Sequence, residues 1–414
     1  MTIAEKILSN HSGKRLRAGD IAICGVDFCF SQDGTSSLVI DSFKKLDLSL
    51  AMKNKFAMVI DHSAPSPNLG VSTVHKKMRD FASRTNSILY DVGCGVCHNV
   101  IPEQGHILPG DLVMGADSHT CTYGALNVFA TGVGSTDLAV VLGTGKNWFK
   151  VPESVRVRLE GNLQKGVYSK DVILYIAGKL GVDSCTYQSI EFEGPAISDM
   201  SIEARFTIAN MGVELGCECA LMQADDSTIE WTSKHSKRKP RPVFPDKNAR
   251  YVQEYVYNVK DIPPQIAKPH SVDNVCSIEE VLSLPIQVAY LGTCTNGRIE
   301  DLSIAAKILS GKKISKDVRF IIAPASKDIY IEAMEKGIIQ IFVQAGAAIV
   351  TPGCGPCVGT HNGIPSDGEN VISTANRNFK GRMGNPDAFI YLASPATVAA
   401  SAIAGKIQDP RKIL

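Results

Sequence analysis

Short apolar runs alternate along the chain with polar turns and with segments of helical periodicity. The clearest runs, each followed by a turn rich in Gly, Pro or Asp, cover residues 56–60, 286–291, 318–322 and 348–350. Apolar residues recur at helical spacing after two of them, over 300–309 and 328–335. Runs that end in a turn are typical of buried strands, and the longer periodic segments are typical of helices.

This repetition of strand, turn and helix predicts the α/β class with mainly parallel sheets. The length of 414 residues fits several domains rather than one. The pattern is interrupted near 150–155 and again near 280–285, which makes both places candidate domain boundaries. In parallel sheets ligands bind at the carboxyl ends of the strands, where the polar turns of this chain lie.

Composition excludes several classes of protein. With 44% apolar and 21% charged residues the chain predicts a packed core rather than disorder. A net charge of +1 gives no general reason to expect nucleic acid or an anionic membrane as a partner. The first residues do not resemble a secretory signal, and no apolar run is long enough to span a membrane. Twelve cysteines form no disulfide framework, so we expect a reduced, cytoplasmic protein.

One basic, proline-containing stretch over 232–250 has no periodicity. A patch for nucleic acid and a solvated surface loop are both compatible with it, and the loop is the commoner outcome.

Three cysteines in the last third stand in turns. Cys294 follows Gly292-Thr293, whereas Cys354 and Cys357 form a Cys-x-x-Cys in a Gly/Pro turn. Structural zinc takes four closed ligands. An iron–sulfur cluster held by three thiolates leaves one iron open to act as a Lewis acid. A non-catalytic zinc-binding or nucleic-acid-binding scaffold is the alternative from another class.

Carboxylates stand beside imidazoles in the first half of the chain. Asp61 precedes His62, Asp117 lies two residues before His119, and His98 occupies a third turn. A carboxylate fixes the tautomer of a neighbouring imidazole and raises its pKa, which makes a proton donor. Each pair alone is more often structural, but several in one half of the chain favour a function.

Two further groups of polar residues carry weaker signals. Asn210 and Glu214 are four residues apart, which predicts one shared helical face. Arg377 and Arg382 flank a turn that also contains Asn376, and arginine forks match carboxylates.

Two motifs are set aside. Cys94-x-x-Cys97-His98 fits the c-type haem pattern, but such attachment accompanies export. A redox or metal-binding pair is the second alternative for these cysteines, and buried thiols are the commoner outcome. The glycines around Gly132-Val133-Gly134 complete no phosphate-binding fingerprint and predict turns with close backbone packing.

Taken together, these motifs resemble the aconitase family. The segments that carry the resemblance, from about residue 20 to residue 411, are Asp61-His62, Asp117-Ser118-His119-Thr120, Cys294-Thr295-Asn296-Gly297-Arg298, Cys354-Gly355-Pro356-Cys357 and Asn376-Arg377-Asn378-Phe379. The similarity is greatest to the large subunit of the two-subunit branch, which acts on isopropylmalate or homoaconitate.

The resemblance implies three α/β domains, at 1–153, 154–283 and 284–414, around a [4Fe-4S] cluster held by Cys294, Cys354 and Cys357. It implies a hydro-lyase that dehydrates and rehydrates a 2-hydroxy diacid, with isopropylmalate in leucine biosynthesis as the leading substrate. Homoaconitate and 2,3-dimethylmalate are the alternatives.

The resemblance also implies roles by position. The catalytic residues are Asp61, His62, His98, Asp117, His119 and Glu214. The substrate-binding residues are Asp33, Thr35, Ser118, Arg377 and Arg382. The residues that support the cluster ligands are Asn210, Asn296 and Asn376.

Finally, the resemblance implies a partner. The swivelling domain of single-chain relatives has no counterpart here, so we expect a separate small subunit that completes the substrate site. Gln32 and Asn99 depart from residues usual in the branch and are expected near the substrate pocket, and Ser184-Cys185 is a further departure.

Overall fold

The computed structural model describes all residues, 1–414. The helices are α1 Ile3–Ser12, α2 Ser36–Lys45, α3 Leu69–Thr85, α4 Cys97–Glu103, α5 Ser135–Thr144, α6 Ser169–Leu180, α7 Pro195–Ser198, α8 Ile202–Asn210, α9 Asp226–His235, α10 Ile299–Leu309, α11 Lys327–Glu335, α12 Ile338–Ala345 and α13 Pro395–Ala404. The strands are β1 Ile21–Gly25, β2 Phe28–Gln32, β3 Phe56–Val59, β4 Ile88–Tyr90, β5 Leu112–Gly115, β6 Phe129–Gly132, β7 Lys146–Lys150, β8 Ser154–Glu160, β9 Ser189–Glu193, β10 Cys219–Met222, β11 Gln253–Asn258, β12 Gln265–Ala267, β13 Val275–Ser277, β14 Val288–Leu291, β15 Arg319–Ile322, β16 Ala348–Ile349, β17 Asn370–Ser373 and β18 Phe389–Leu392.

Most strands belong to three sheets. The first has the order β4-β3-β2-β5-β6 and the second the order β10-β9-β8-β11, and both are parallel throughout. The third has the order β13-β12-β18-β17-β14-β15-β16 and is parallel except where β12 pairs with β13 and β18. A small antiparallel pair, β1-β7, lies outside them. The predicted α/β class with mainly parallel sheets is confirmed.

The predicted elements agree with the structure except at their ends. The helices predicted at 300–309 and 328–335 are α10 and α11, which each begin one residue earlier. The third sheet also takes in β12 and β13, which precede the predicted boundary at 283/284. These strands are only three residues long, and too little periodicity accumulates over that length to mark them in the sequence.

The sheets share an apolar core. Phe30 of the first sheet, Val157 of the second and Tyr290 of the third belong to one continuous cluster of buried side chains. The carboxyl ends of β2, β3 and β5 carry the loops with Asp33, Asp61 and Asp117, and the end of β14 carries the loop with Cys294. This shared centre is what brings loops from distant parts of the chain together.

The basic stretch over 232–250 is a strap on the first sheet's side of the molecule. Arg238 Nη2 lies 3.0 Å and Arg241 Nη2 3.4 Å from the carboxylate of Asp111, which is buried. Because its arginines hold this buried acid, the strap is structural, and the interpretation as a nucleic-acid patch loses its basis. No helix in the molecule has both the length and the apolar character to cross a membrane.

Candidate active site

The loop after β3 is held by the carboxylate of Asp33. Asp33 accepts hydrogen bonds from the backbone N–H groups of Asp61 (3.1 Å), His62 (2.8 Å) and Ser63 (2.8 Å), and His75 Nε2 lies 3.2 Å away. Burial alone would raise the pKa of Asp33, but these bonds outweigh it and hold the pKa well below the usual range. The predicted substrate contact by Asp33 is therefore wrong, because both oxygens anchor the Asp61–His62 loop.

Replacing Asp33 with asparagine is expected to lower the free energy of unfolding at pH 7 by about 3 kcal/mol, because an amide nitrogen then faces buried N–H groups. A carboxyl whose folded pKa is depressed stabilises above its unfolded pKa, so the loss relative to wild type should shrink as pH falls below about 4. Urea unfolding of the variant and of the wild type, between pH 7 and the acidic range, measures this difference in the free energy of unfolding. Asp80→Asn, at an exposed position of α3, is the control. A deficit that does not change with pH would contradict the anchoring role.

Asp117 is the centre of a hydrogen-bonded cluster. Its Oδ1 lies 2.8 Å from His98 Nε2 and accepts from the backbone N–H of His119 at 2.8 Å, while its Oδ2 lies 3.4 Å from His62 Nε2. Burial alone would raise the pKa of Asp117, but the interaction with His98 and the hydrogen bond to His62 lower it well below its usual value. Asp117 is thus a carboxylate shared between imidazoles.

The loop that bears Asp117 packs closely on the end of β6. A Cβ atom on Gly132 would lie 2.6 Å from the carbonyl oxygen of Asp117, so no larger residue fits there. The same closeness occurs between Gly353 and the carbonyl oxygen of Asp61, where a Cβ would lie 2.9 Å away. The first contact is consistent with the backbone packing expected around Gly132, and the second brings the Cys354 turn against the Asp61–His62 loop.

His62 lies between two carboxylates and a thiol. Its Nδ1 is 2.7 Å from Asp61 Oδ1 and 3.7 Å from Cys354 Sγ. Burial alone would lower the pKa of His62, but its interactions with Cys354 and Asp61 and its hydrogen bonds to Asp117 and Asp61 raise it well above its usual value. Asp61 also accepts the backbone N–H of Cys97 at 2.7 Å, which fixes the start of α4 and with it His98.

His119, Glu214 and Arg377 form a chain along the same cavity. Glu214 Oε1 lies 2.9 Å from His119 Nε2 and accepts from Arg377 Nε at 2.8 Å, and Arg377 Nη1 donates to Ser118 Oγ at 3.1 Å. Burial lowers the pKa of His119 to about 4. Burial alone would raise the pKa of Glu214, but His119 and Arg377 lower it. Glu214 is therefore an anion, and His119 is a neutral imidazole that donates to it.

The expectation that Asn210 and Glu214 share one helical face is wrong. Helix α8 ends at Asn210, and Met211–Leu215 continues as a 3₁₀ helix, whose tighter turn changes the direction of the side chains. As a result Glu214 faces His119, whereas Asn210 faces Cys294.

Amide groups are directed at the Cys294 sulfur. Asn210 Nδ2 lies 3.2 Å and Asn376 Nδ2 3.5 Å from Cys294 Sγ. Thr295 Oγ1 donates to Asn210 Oδ1 at 2.7 Å, which orients the amide. Asn296 contacts no cysteine; its Nδ2 donates to Thr207 and Asp301 and fixes the loop. Burial raises the pKa of Cys294 to about 12, so its thiolate needs a nearby positive charge or a metal.

The other two cysteines of the set lie beside the same groups. Arg382 Nη2 donates to Cys357 Sγ at 3.3 Å, and Asn376 Oδ1 is 3.9 Å from that sulfur. Asn376 therefore touches both Cys294 and Cys357. Tyr290 Oη donates to the carbonyl of Cys354 at 2.8 Å, which fixes the turn that contains Cys354 and Cys357. All three thiols are buried.

An open cavity of about 480 Å³ lies beside these groups. Its polar lining consists of Gln32, Thr35, His62, Asp117, Ser118, His119, Arg377 and Arg382. Arg382 Nε is buried without a hydrogen-bond partner, which leaves this donor for a ligand. Thr35, Ser118 and both arginines line this cavity, and their expected roles as substrate contacts stay predictions. Asn99 does not line this cavity, so its expected place at the substrate pocket is wrong.

Cys94 and Cys97 differ from the other set. Cys94 is half-buried, and Cys97 is buried at the start of α4. His98 Nε2 is bonded to Asp117, so this nitrogen is engaged and does not face a haem iron. Asp61, His62 and Cys354 also offer atoms within 4.8 Å of one another, but the Asp61 oxygens already hold His62 and the backbone of Cys97.

Sequence reasoning missed Lys170. This residue is fully buried, and its Nζ donates to the carbonyls of Thr374 (2.9 Å) and Ala375 (2.7 Å), directly before Asn376. Burial lowers the pKa of Lys170 to about 7, although the charge of Cys294 opposes this. An isolated lysine in an amphipathic helix gives no sequence signal of such a role, because its partners are backbone carbonyls 204 and 205 residues away in the chain.

Comparison with known proteins identifies the family of this chain. The model of the Aconitase family (aconitate hydratase) matches residues 5–284 and 279–405. The chain belongs to the aconitase family. It is an enzyme of the hydro-lyase class, and its family is one whose members carry a [4Fe-4S] cluster.

Full-length relatives are similar along the entire chain. The chain is 48% identical over 414 residues to the 3-isopropylmalate dehydratase large subunit 2 of Archaeoglobus fulgidus, covering 100% of this chain and 99% of that one. It is also 48% identical to the large subunit 1 of that name from Thermotoga maritima, with the same coverage. A probable methanogen homoaconitase large subunit of Methanosarcina mazei is 47% identical over 94% of this chain and all of its own length.

A solved structure supports the fold. Thermococcus kodakaraensis aconitase X, in its holo form, superimposes with a TM-score of 0.52 at 12% identity, covering 90% of this chain and 88% of that one.

Proposed function

We propose that this chain is the large subunit of a hydro-lyase that dehydrates and rehydrates a branched 2-hydroxy diacid, with isopropylmalate as its substrate. The proposal rests on two groups of residues that lie next to each other. Asn210, Asn376 and Arg382 direct N–H groups at cysteine sulfurs, and the Asp117 cluster lines the adjoining cavity.

Cys294, Cys354 and Cys357 would hold the [4Fe-4S] cluster. Their sulfurs are buried, and N–H donors of the kind that tune iron–sulfur centres already contact two of them. Lys170 Nζ donates to the carbonyls of Thr374 and Ala375, which fixes the backbone directly before Asn376. When bound, the cluster supplies a Lewis acid for the substrate hydroxyl.

His62 is the proposed proton donor to the leaving hydroxyl. It lines the cavity, and Asp61 and Asp117 flank its two ring nitrogens, so the charged imidazolium is stabilised next to the place where hydroxide leaves. His98 holds Asp117 from the opposite side. His119 is neutral and keeps Glu214 and Arg377 in position, and this role differs from the proton donor that the sequence led us to expect.

The arginines are the proposed carboxylate contacts. Arg382 Nε has no partner in the protein, and Arg377 uses Nε and Nη1 on Glu214 and Ser118. The apolar side chains in the cavity, those of Ala116, Val133 and Val358, would pack against a branched alkyl group. This apolar wall supports a substrate with a branched alkyl group.

The homoaconitase large subunit of Methanosarcina mazei supports a second candidate, a hydro-lyase acting on homoaconitate. The names of the full-length relatives support a small-subunit partner in both cases. That partner would close the open side of the cavity and add further substrate contacts.

Turnover is therefore expected to require a small subunit. The anaerobically purified chain should show almost no hydration of the unsaturated diacid, and addition of a cognate small subunit should restore it. Parallel assays with isopropylmalate, homocitrate and 2,3-dimethylmalate identify the substrate. High activity of the chain alone would contradict the two-subunit proposal, and activity on homocitrate alone would replace isopropylmalate with the second candidate.

A further inference from the structure

A second cavity of about 500 Å³ lies behind the active site and shares no lining residue with the cavity that contains His62. Its walls come from α4, α8, α9, α11 and the start of α10. Asn99, which follows His98, and Arg298, which closes the Cys294 loop, both line it. Cavities of this volume hold small molecules in other proteins.

Arg298 is a buried guanidinium with free donors. It is 3% exposed, its guanidinium carbon lies 4.7 Å from the centre of the Phe206 ring, and its Nη1 donates to the carbonyl of Thr295 at 3.0 Å. Nε and Nη2 have no partner. These two nitrogens form the parallel fork that fits a carboxylate, and buried donors without a partner are destabilising.

The rest of the cavity favours a positive group. Glu103, Glu203, Asp328 and Glu332 line it, and the first three form no ion pair with a basic side chain of this protein. Two basic residues besides Arg298 also line it, but Lys234 is paired with Glu230 at 2.7 Å, and His235 Nδ1 lies 2.8 Å from the carbonyl oxygen of Trp231. Asn99 is 2% exposed, and its Oδ1 is a buried acceptor without a partner. Burial raises the pKa of Glu103 to about 7, and a neighbouring cation would favour its ionised form.

Between these charges the wall is apolar. Phe206, Trp231, Ile299 and Ile329 line the cavity. A ligand that satisfies all three features has a carboxylate, an ammonium and a hydrocarbon side chain. A dicarboxylate such as the proposed substrate lacks the cation that the acids require.

We infer that this cavity binds an α-amino acid with an apolar side chain. The carboxylate lies on the Nε/Nη2 fork of Arg298, and the ammonium faces Glu103 and the Oδ1 of Asn99. The hydrocarbon packs on the wall that contains Trp231. No residue of the proposed hydro-lyase site takes part, and binding needs no turnover. The cavity can therefore bind its ligand whether or not the proposed function is correct.

Calorimetric titration of the full chain, purified anaerobically, tests the ligand class with three probes of one hydrocarbon skeleton. L-Leucine is expected to bind saturably. 4-Methylpentanoate, which lacks the ammonium, and 3-methylbutylamine, which lacks the carboxylate, should each bind at least about 10-fold more weakly, because each leaves one charged group of the cavity unpaired. No saturable heat with L-leucine, or equal affinity for all three probes, would overturn the inference.

Variants assign each contact to its group. Arg298→Gln should weaken L-leucine at least about 10-fold and leave 3-methylbutylamine unchanged, whereas Glu103→Gln should weaken L-leucine about fivefold and leave 4-methylpentanoate unchanged. Glu335→Gln, at an exposed site on α11, should change neither. If Arg298→Gln does not fold, Glu103→Gln decides the question. Loss of affinity for all probes alike, or for none, would overturn the assignment.

Discussion

Replacing Cys294, Cys354 or Cys357 with serine is expected to remove the cluster. Each anaerobically purified variant should lose its iron and sulfide and the broad absorbance near about 400 nm. The physical reason is that three thiolates leave no spare ligand, so the loss of one sulfur opens a second iron to solvent. Iron and sulfide analysis beside the absorbance spectrum measures the effect.

Cys94→Ala and Cys97→Ala are the matched controls. Both cysteines belong to a Cys-x-x-Cys motif, but neither sulfur contacts Asn210, Asn376 or Arg382. Both variants should keep the cluster. Loss of iron from either control, or full iron content in a Cys294→Ser protein, would contradict the ligand assignment.

Replacing Asp117 with asparagine is expected to lower turnover by about 100-fold or more while iron content stays unchanged. The carboxylate holds His98 and stabilises the charge of His62, and it accepts the backbone N–H of His119. An amide keeps the shape of the carboxylate but not its charge, so the pKa of His62 falls. Less imidazolium is then available to protonate the departing hydroxyl. Steady-state assays with the small subunit present measure the change.

Asp91→Asn is the control for this prediction. Asp91 is an exposed carboxylate in the same part of the chain, paired with Arg79 at 2.6 Å, and its loss should leave turnover unchanged. The Asp117→Asn protein should also retain its cluster absorbance. Near-normal turnover of the folded variant would show that Asp117 is structural.

Local patterns predicted the α/β class and the main site residues because both are written in short stretches of sequence. Strands β3, β14 and β15 are apolar runs that stop at a polar turn, and Cys354 and Cys357 share one turn. The sequence could not show where each side chain points. Asp33 stands beside the cavity residue Gln32, yet its carboxylate turns to the backbone of the next loop.

Contacts between residues far apart in the sequence could not be predicted either. Glu214 and Arg377 meet although they lie 163 positions apart, and Lys170 supports the Asn376 loop from α6. Asn99 follows a site histidine but faces the opposite side of α4, into the second cavity. Such pairings depend on how the three sheets pack around their shared core, which no local pattern records.

Mössbauer spectroscopy of the ⁵⁷Fe-enriched protein, with and without isopropylmalate and with the small subunit present, tests directly whether three cysteines hold a cluster with one iron open to substrate. We expect the substrate to shift the signal of one iron site and to leave the others unchanged. A protein that contains zinc instead of iron, or iron sites whose signals are all unchanged by the substrate, would contradict a cluster with one open iron.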